Sequence, residues 1–249
     1  MVSREIPASI KRSVRRKSFW GCCKCGNPII EYHHIIPWSI VHEHTEDNIV
    51  ALCPRCHHEA TCGHLNEQMV RRIKRNPYNK KVRYVQENFL LRDYDRTILK
   101  LGGAYFQNVP HILTYGDFDL ISLRKGEDNE ALLSAKFYDK RNWLVAEIID
   151  NEWKTYIDTD VWDIQYSPGH LKINQSQRSI LLDLQVNDQA VTISGVIYMK
   201  GNALRMLKND LVINTSTVKK AVLSNVKLIG ANKGIIVDPN NGSVRIFGM

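Results

Sequence analysis

The sequence predicts an α+β protein in which a zinc-braced N-terminal domain is followed by an all-β, sandwich-like domain. Three observations lead to this prediction. All six cysteines lie between residues 22 and 62. Residues 1–100 hold 18 Lys and Arg against 10 Asp and Glu, whereas residues 101–249 hold 16 of each kind. From about residue 104 onward, short β-rich segments separated by turns replace the earlier pattern, as in sandwiches and barrels.

Length and composition allow one large domain or two ordinary ones, because the chain has 249 residues and 43% of them are hydrophobic. No apolar segment approaches the roughly 20 residues that a membrane helix needs. The basic residues near the N-terminus are not followed by an apolar segment of signal-peptide type. We therefore expect a cytoplasmic protein. The excess charge predicts that the first half binds a polyanion.

Three helices are predicted in the N-terminal domain. The first is a short amphipathic helix within residues 3–18, where apolar residues recur at helical spacing. The second begins at Pro54, because proline suits the first turn of a helix, and ends near Gly63. The third runs through Arg75 with Asn66 as its N-cap. A connector is expected at residues 76–81, and residues 82–93 fit either one more helix or a strand.

Two strands are predicted between the first and second helices. Residues 29–36 are β-rich and end at Pro37, and residues 48–53 form a second apolar run. Residues 38–47 are expected to form the loop between them. The two strands and the helix after them therefore carry His33, His34 and His57.

The second domain is predicted to start at Leu101-Gly102-Gly103, which gives domains of residues 1–100 and 101–249. Eleven strands are expected there: residues 112–115, 118–123, 132–137, 143–149, 171–173, 180–186, 191–198, 211–213, 226–229, 235–237 and 244–247. Tryptophans and tyrosines are concentrated between residues 138 and 166, and they suit either a buried core or a recognition surface.

Two Cys-x-x-Cys pairs predict a structural zinc site. Cys22, Cys25, Cys53 and Cys56 can surround one Zn²⁺ as four thiolates, which closes the coordination sphere and stabilises a domain with little core of its own. Cys23 could take the place of Cys22, but only one of them fits the pair.

Three histidines predict a second site. His33 and His34 end the first predicted strand, and His57 lies on the helix that starts at Pro54. Adjacent strand residues point to opposite faces, so His33 and His34 cannot do the same work. One of them can bind a metal, and the other can act as a general base near neutral pH.

The segment His-His-Ile-Ile-Pro followed by Asn-Ile-Val-Ala-Leu-Cys-x-x-Cys-His resembles the HNH endonuclease motif, in the subclass with an added four-cysteine zinc knuckle. The resemblance implies a ββα-metal fold and metal-dependent hydrolysis of DNA. It implies that His34 is the general base, that His33 and His57 bind one catalytic divalent ion (Mg²⁺, Mn²⁺ or Ni²⁺), and that Asn48 braces the loop carrying the base or reaches the ion.

The resemblance also has a departure. Relatives often carry another metal-binding histidine four residues after the last one, and that position is Thr61 here. His58 and His64 are the substitutes that the sequence offers. Basic side chains near the motif are expected to hold the DNA backbone through its phosphates: Arg55, Arg71, Arg72, Lys74 and Arg75.

Two other functions compete with the nuclease. A zinc-binding adaptor for DNA or protein would need the cysteines but not the set His34, Asn48 and His57. A glycan or ligand binder would depend on the β-rich half. Because that half has no net charge, we expect it to target the nuclease through a protein partner or self-association rather than to grip DNA.

Overall fold

A computed structural model of the chain describes residues 4–91, 93–187 and 190–247. The part that precedes residue 84 contains helices and one small antiparallel sheet. Its elements are α1 (Ala8–Lys17), β1 (Glu31–His34), α2 (Trp38–Val41), β2 (Ile49–Leu52), α3 (Pro54–Thr61), α4 (Glu67–Arg75) and α5 (Tyr78–Val82). In this sheet His33 lies opposite Val50 and His34 opposite Ile49. The β1–β2–α3 order follows the two predicted strands and the helix after them.

The predicted helices are confirmed, and their ends have the expected local causes. Pro54 occupies the first turn of α3, where its missing N–H has no partner to lose. The side chain of Asn66 accepts a hydrogen bond from the backbone N–H of Met69 and caps α4. Two short helices were not predicted: α2 within the expected loop and α5 within the expected connector. Each is too short for hydrophobic periodicity to reveal it.

The strand-rich part consists of two sheets. The eight-stranded sheet has the order β20-β19-β6-β7-β8-β9-β10-β3. Its strands are β3 (Tyr84–Asn88), β6 (His111–Tyr115), β7 (Phe118–Lys125), β8 (Ala131–Tyr138), β9 (Leu144–Ile149), β10 (Glu152–Tyr156), β19 (Lys233–Val237) and β20 (Val244–Ile246).

The ten-stranded sheet has a main order of β11 to β17, and its remaining strands are attached through β4, which pairs in parallel with β14. Its strands are β4 (Ile98–Leu101), β5 (Ala104–Gln107), β11 (Asp163–Ser167), β12 (His170–Ser176), β13 (Ser179–Val186), β14 (Ala190–Met199), β15 (Asn202–Met206), β16 (Asp210–Asn214), β17 (Ala221–Ser224) and β18 (Val226–Ile229).

One continuous apolar core takes side chains from both sheets, as the sandwich-like prediction expects. The burial pattern of β8 alternates strictly, so that one face of the strand packs inward. Trp153, Phe106 and Phe137 are among the largest side chains that are fully buried. The concentrated aromatics are therefore divided, since Trp153 lies in the core while Trp143 is 54% exposed.

Two strands lie before the predicted domain junction at residue 101. β3 pairs with β10, and β4 pairs with β14 and β5, so the sheets take in the chain from Tyr84 onward. The partner strand β10 is about as polar as β3 and lies far along the chain. No local pattern therefore indicates this pairing. That the two parts are separate domains stays a prediction.

Arg15 of α1 joins the two parts of the molecule. Its guanidinium donates to both carboxylate oxygens of Asp163 on β11, at 2.9 and 2.6 Å, and to the hydroxyl of Tyr32 on β1 at 2.6 Å. The Asp163 side chain is only 2% exposed. A bidentate ion pair of this kind fixes the relative orientation of the two side chains as well as their distance. None of the helices in the described residues is long and apolar enough to cross a membrane.

Candidate active site and metal centres

Four thiols converge between the start of α3 and the turn before β1. The sulfur atoms of Cys22, Cys25, Cys53 and Cys56 all lie within 4.8 Å of one another. Cys25 is 3.6 Å from Cys53 and 3.9 Å from Cys56, measured between sulfurs. Four sulfurs placed tetrahedrally about 2.3 Å from a zinc ion would be about 3.8 Å apart. The donor set and its spacing therefore fit a structural Zn²⁺.

The structure chooses between Cys22 and Cys23. The side chain of Cys22 is in the group of four, and a hydrogen bond from Cys25 lowers the pKa of its thiol to about 5. Cys23 lies outside this group of four, and burial raises the pKa of its thiol to about 12. The backbone N–H of Cys23 instead donates to the carbonyl of Ala51 and attaches the knuckle to β2.

The backbone turn of the knuckle depends on Gly26. Its N–H donates to the carbonyl of Cys22, and its φ of +82° lies in the left-handed region. A Cβ at this position would also collide with Asn79. Glycine is thus required both by the conformation and by the space.

His33 and His57 lie side by side across the gap between β1 and α3. Their ring centroids are 5.0 Å apart, and the rings are nearly perpendicular at 74°. Glu31, two residues before His33 on the same face of β1, contacts Nδ1 of His57 with its carboxylate. A carboxylate on one ring nitrogen of a histidine orients the ring and leaves the other nitrogen for a metal ion.

His34 points away from His33, as strand geometry requires, and enters a small aromatic cluster. Its Nε2 is 3.1 Å from Nδ1 of His44. The Trp38 ring stacks on His44 at 4.2 Å between centroids and contacts His34 edge-on at 5.7 Å. These contacts hold the His34 ring in one orientation at the end of β1.

The electrostatics keep both histidines of β1 neutral near pH 7. Burial lowers the pKa of His34, and the neighbouring His44 lowers it further. Burial also lowers the pKa of His33, with added repulsion from His57 and His34. A neutral imidazole is the form that accepts a proton or binds a metal.

Asn48 braces the backbone that follows His34. Its Oδ1 accepts from the N–H of Ile36 at 2.8 Å, and its Nδ2 donates to the carbonyl of Ile36 at 3.0 Å. The residue is buried, and its backbone carbonyl also accepts from Ile35 at 2.8 Å. Of the two roles that the resemblance allows, bracing accounts for both polar atoms of the side chain.

The segment that carries these cysteines and histidines is similar to known proteins. Residues 22–61 match the family described as HNH endonuclease. This segment is an HNH domain. The chain is also 59% identical over 34 residues to the type IV methyl-directed restriction enzyme EcoKMcrA of Escherichia coli (strain K12). That match covers 14% of this chain and spans 12% of the relative's length. No solved structure matches the chain.

The histidine site of the HNH segment is open. Thr61, where relatives often have a histidine, donates its hydroxyl to the carbonyl of His57 at 2.9 Å. His58 is exposed and contacts Cys62 instead, at 3.5 Å. In the described ranges, a cluster of at least three candidate metal ligands is found at the four cysteines and not at the histidines. The two imidazoles therefore leave space beside them for further ligands.

Three residues of the HNH segment contribute contacts that the sequence did not assign: Glu31, Trp38 and His44. The two-residue spacing of Glu31 and His33 could have indicated a shared face. Trp38 begins α2 and His44 lies in the loop after it, and only tertiary contacts bring them to His34.

The basic residues expected at the phosphates do not behave alike. The Lys74 ammonium donates to the backbone carbonyls of Glu46 and Asp47, the latter at 2.8 Å. It therefore stabilises the loop before β2 rather than standing ready for a phosphate. Arg71 pairs with Glu67 one turn before it. Arg55 lies 3.6 Å from Glu59, but its side chain is 88% exposed. Its guanidinium is therefore accessible to a ligand.

Proposed function

We propose that this protein is a metal-dependent endonuclease that hydrolyses DNA phosphodiester bonds, with His34 as the general base. The observation that carries the proposal is the placement of His33 and His57 against each other, with His34 following His33 at the end of the same strand and held by His44. An adaptor that binds zinc through its cysteines has no need for this arrangement.

His33 and His57 would hold the catalytic ion, which we expect to be Mg²⁺, Mn²⁺ or Ni²⁺. Two neutral imidazoles with open positions beside them fit such an ion. When bound, it would supply positive charge to the scissile phosphate and the leaving 3′ oxygen. Glu31 would fix the tautomer of His57 and direct the other ring nitrogen to the ion.

His34 would take the proton from the attacking water. Its lowered pKa supports this role, because a neutral imidazole is ready to accept a proton near pH 7. His44 and Trp38 would orient the ring, and Asn48 would fix the backbone just after it. The position of the base would then be set before the substrate arrives.

The biological role that we propose is restriction-type cleavage of DNA in the cytoplasm. The support is the similarity of the HNH segment to a type IV methyl-directed restriction enzyme. The strand-rich part would direct the nuclease through a protein partner or a second copy of the chain. Its lack of net charge supports this division of work.

A plasmid-nicking assay tests the proposal. Wild type is compared with His34→Ala and with His58→Ala, each with added Mg²⁺, Mn²⁺ or Ni²⁺. We expect His34→Ala to reduce cleavage by about 10²–10⁴-fold, the usual worth of a general base. His58→Ala should retain the wild-type rate, because His58 is exposed and contacts Cys62 rather than the site. Wild type that leaves DNA intact with every ion would favour the adaptor.

A further inference from the structure

A cleft of about 740 Å³ lies between the helices of the N-terminal part and the strand-rich part. One wall comes from α1, the turn after it, α4 and α5, and the other wall comes from the segment between β10 and β11. Thirteen residues line it: Ser13, Arg16, Lys17, Phe19, Trp20, Lys74, Arg75, Pro77, Lys80, Ile157, Thr159, Asp160 and Val161. The volume is within the usual range for ligand-binding clefts, roughly 300–1,000 Å³.

The helical wall of the cleft is strongly basic. Five of its residues are Lys or Arg, and the chain has no Asp or Glu between Glu67 and Glu87. Arg16, Arg75 and Lys80 are exposed, and none of the three has a carboxylate partner among the residues that the structure describes. Cations left without a partner on one concave surface attract a polyanion.

The opposite wall is mainly neutral. Ile157 and Val161 line it with nearly buried side chains, and the backbone turns tightly between them through the Val161 N–H and the Thr159 carbonyl, at 2.7 Å. The carboxylate in the lining is that of Asp160, and Arg141 pairs with it at 3.1 Å. An occupant would thus find positive charge on one side and a wall whose carboxylate is already paired on the other.

Residues that line the cleft contact the loop next to the candidate active site. Lys17 pairs with the carboxylate of Glu46, to which Ser13 also donates. Lys74 donates to the backbone carbonyls of Glu46 and Asp47. These contacts hold the end of the loop that carries His44, the residue whose ring meets His34. The residues that line the cleft therefore also fix the neighbourhood of His34.

The geometry points to this cleft as the track that holds the phosphate backbone of the DNA substrate, with Arg16, Arg75 and Lys80 as the phosphate contacts and residues 157–161 of the strand-rich part as the far wall. This inference rests on the proposed function and deepens it. It gives the strand-rich part a direct place in substrate binding even though that part has no net charge.

The test measures binding of a fluorescent DNA duplex to the His34→Ala protein, which would leave the probe uncut, over a range of salt concentrations. The triple variant Arg16→Glu, Arg75→Glu, Lys80→Glu is compared with the matched reversal Lys208→Glu, Lys219→Glu, Lys220→Glu at exposed lysines of the strand-rich part. We expect the cleft variant to raise Kd on the order of 100-fold and to lower the salt slope by about 2 to 3, one for each lost phosphate contact.

A second substitution protects the test against misfolding. Asp160→Asn removes the carboxylate from the cleft wall, and we expect it to tighten DNA binding on the order of threefold, because one negative charge no longer repels the phosphates. A damaged protein cannot produce this gain. The matched substitution Asp128→Asn, at another exposed aspartate, should leave Kd unchanged.

The outcomes separate this inference from the proposed function when plasmid cleavage by the otherwise wild-type chain is measured in parallel. If wild type cleaves DNA while both triple variants bind equally well, the cleft assignment is overturned and the nuclease stands. If wild type binds DNA through the cleft but cleaves none, the nuclease fails and the cleft stands. If ATP occupies the cleft and the triple variant loses ATP binding but not DNA binding, the DNA track is also overturned.

Discussion

The N-terminal part and the strand-rich part of this molecule are each stabilised by different interactions. The strand-rich part rests on a single apolar core of 45 buried residues within the described chain, one of which, Trp20, comes from the turn after α1. The helical part has two small apolar clusters, of nine and three buried residues. Four of the nine are cysteines, and three of those belong to the thiol cluster.

The difference explains why the candidate active site can be open. A part with so little core needs the zinc knuckle and specific polar contacts for stability, and these do not require a closed surface. The imidazoles at the end of β1 and on α3 are therefore free to face a substrate. The strand-rich part has no comparable freedom, because its large side chains fill the space between the sheets.

The largest effect is expected from Cys53→Ser. Without its fourth thiolate the knuckle should lose zinc, and the helical part should unfold, because metal binding supplies the folding free energy of such small sites. All helices in the described residues lie before residue 84, so loss of the helical component of the circular dichroism spectrum reports on that part. Cys62→Ser, outside the thiol cluster, should retain both zinc and helix signal. Equal losses in both variants would contradict the assignment.

The next effect concerns the other part. Trp153→Ala removes a side chain with no exposed surface and should lower the free energy of unfolding of the strand-rich part by about 3–5 kcal/mol. Zinc content should not change. Trp143→Ala, at a 54% exposed position, should change the free energy by less than about 0.5 kcal/mol. Denaturant titration followed by the β-sheet signal measures both, and zinc loss in Trp153→Ala would mean that the two parts do not differ in this way.

A third prediction concerns the contact between the parts. Arg15→Met leaves Asp163 buried without its cation, which should cost about 3–5 kcal/mol in the free energy of unfolding. Arg83→Met is the matched control, because Arg83 also reaches across to an aspartate, Asp158, at 3.0 Å, but both side chains are about half exposed. Its cost should stay below about 1 kcal/mol. Similar denaturation midpoints for the two variants would show that burial of the pair does not matter.

The smallest effect is a pH dependence confined to the histidines. His34 must be neutral to accept a proton, and its lowered pKa keeps it neutral below its ordinary value of 6.5. Cleavage should therefore be fully present above pH 6.5 and lost as the pH falls through the lower value. His44→Ala removes one cause of the lowering, so the acid limb of kcat/KM should move to higher pH. An acid limb above 6.5 in wild type would contradict the neutral base.

Local patterns predicted much of the fold. Each of the eleven strands expected after residue 104 overlaps an observed strand, because their β-branched and apolar residues face a core on at least one side. Strands such as β10 and β15 were missed because charged residues interrupt their apolar pattern. β3 lies within residues 82–93, which local pattern left open between a helix and a strand, and its pairing with β10, more than sixty residues along the chain, decides for the strand.

The candidate site shows the same limit. The spacing of the cysteines indicated one ion, and the pair His33-His34 indicated two opposite roles, because strand residues alternate between faces. The cysteine that joins the cluster, the bracing role of Asn48 and the contact of His44 with His34 needed the folded chain. So did the change of Lys74 from an expected phosphate ligand to a clamp on the loop at Glu46.

By itself the sequence determined the kinds of chemistry this protein carries, because thiolates, imidazoles and positive charge are properties of the residues and their spacing. Only the tertiary structure decided which groups meet: the carboxylate on His57, the imidazole beside His34, the pair of Arg15 with Asp163, and the basic cleft that the two parts enclose. These contacts join residues that are distant along the chain or placed by irregular loops. Their geometry depends on the packing of whole elements, which local periodicity does not record.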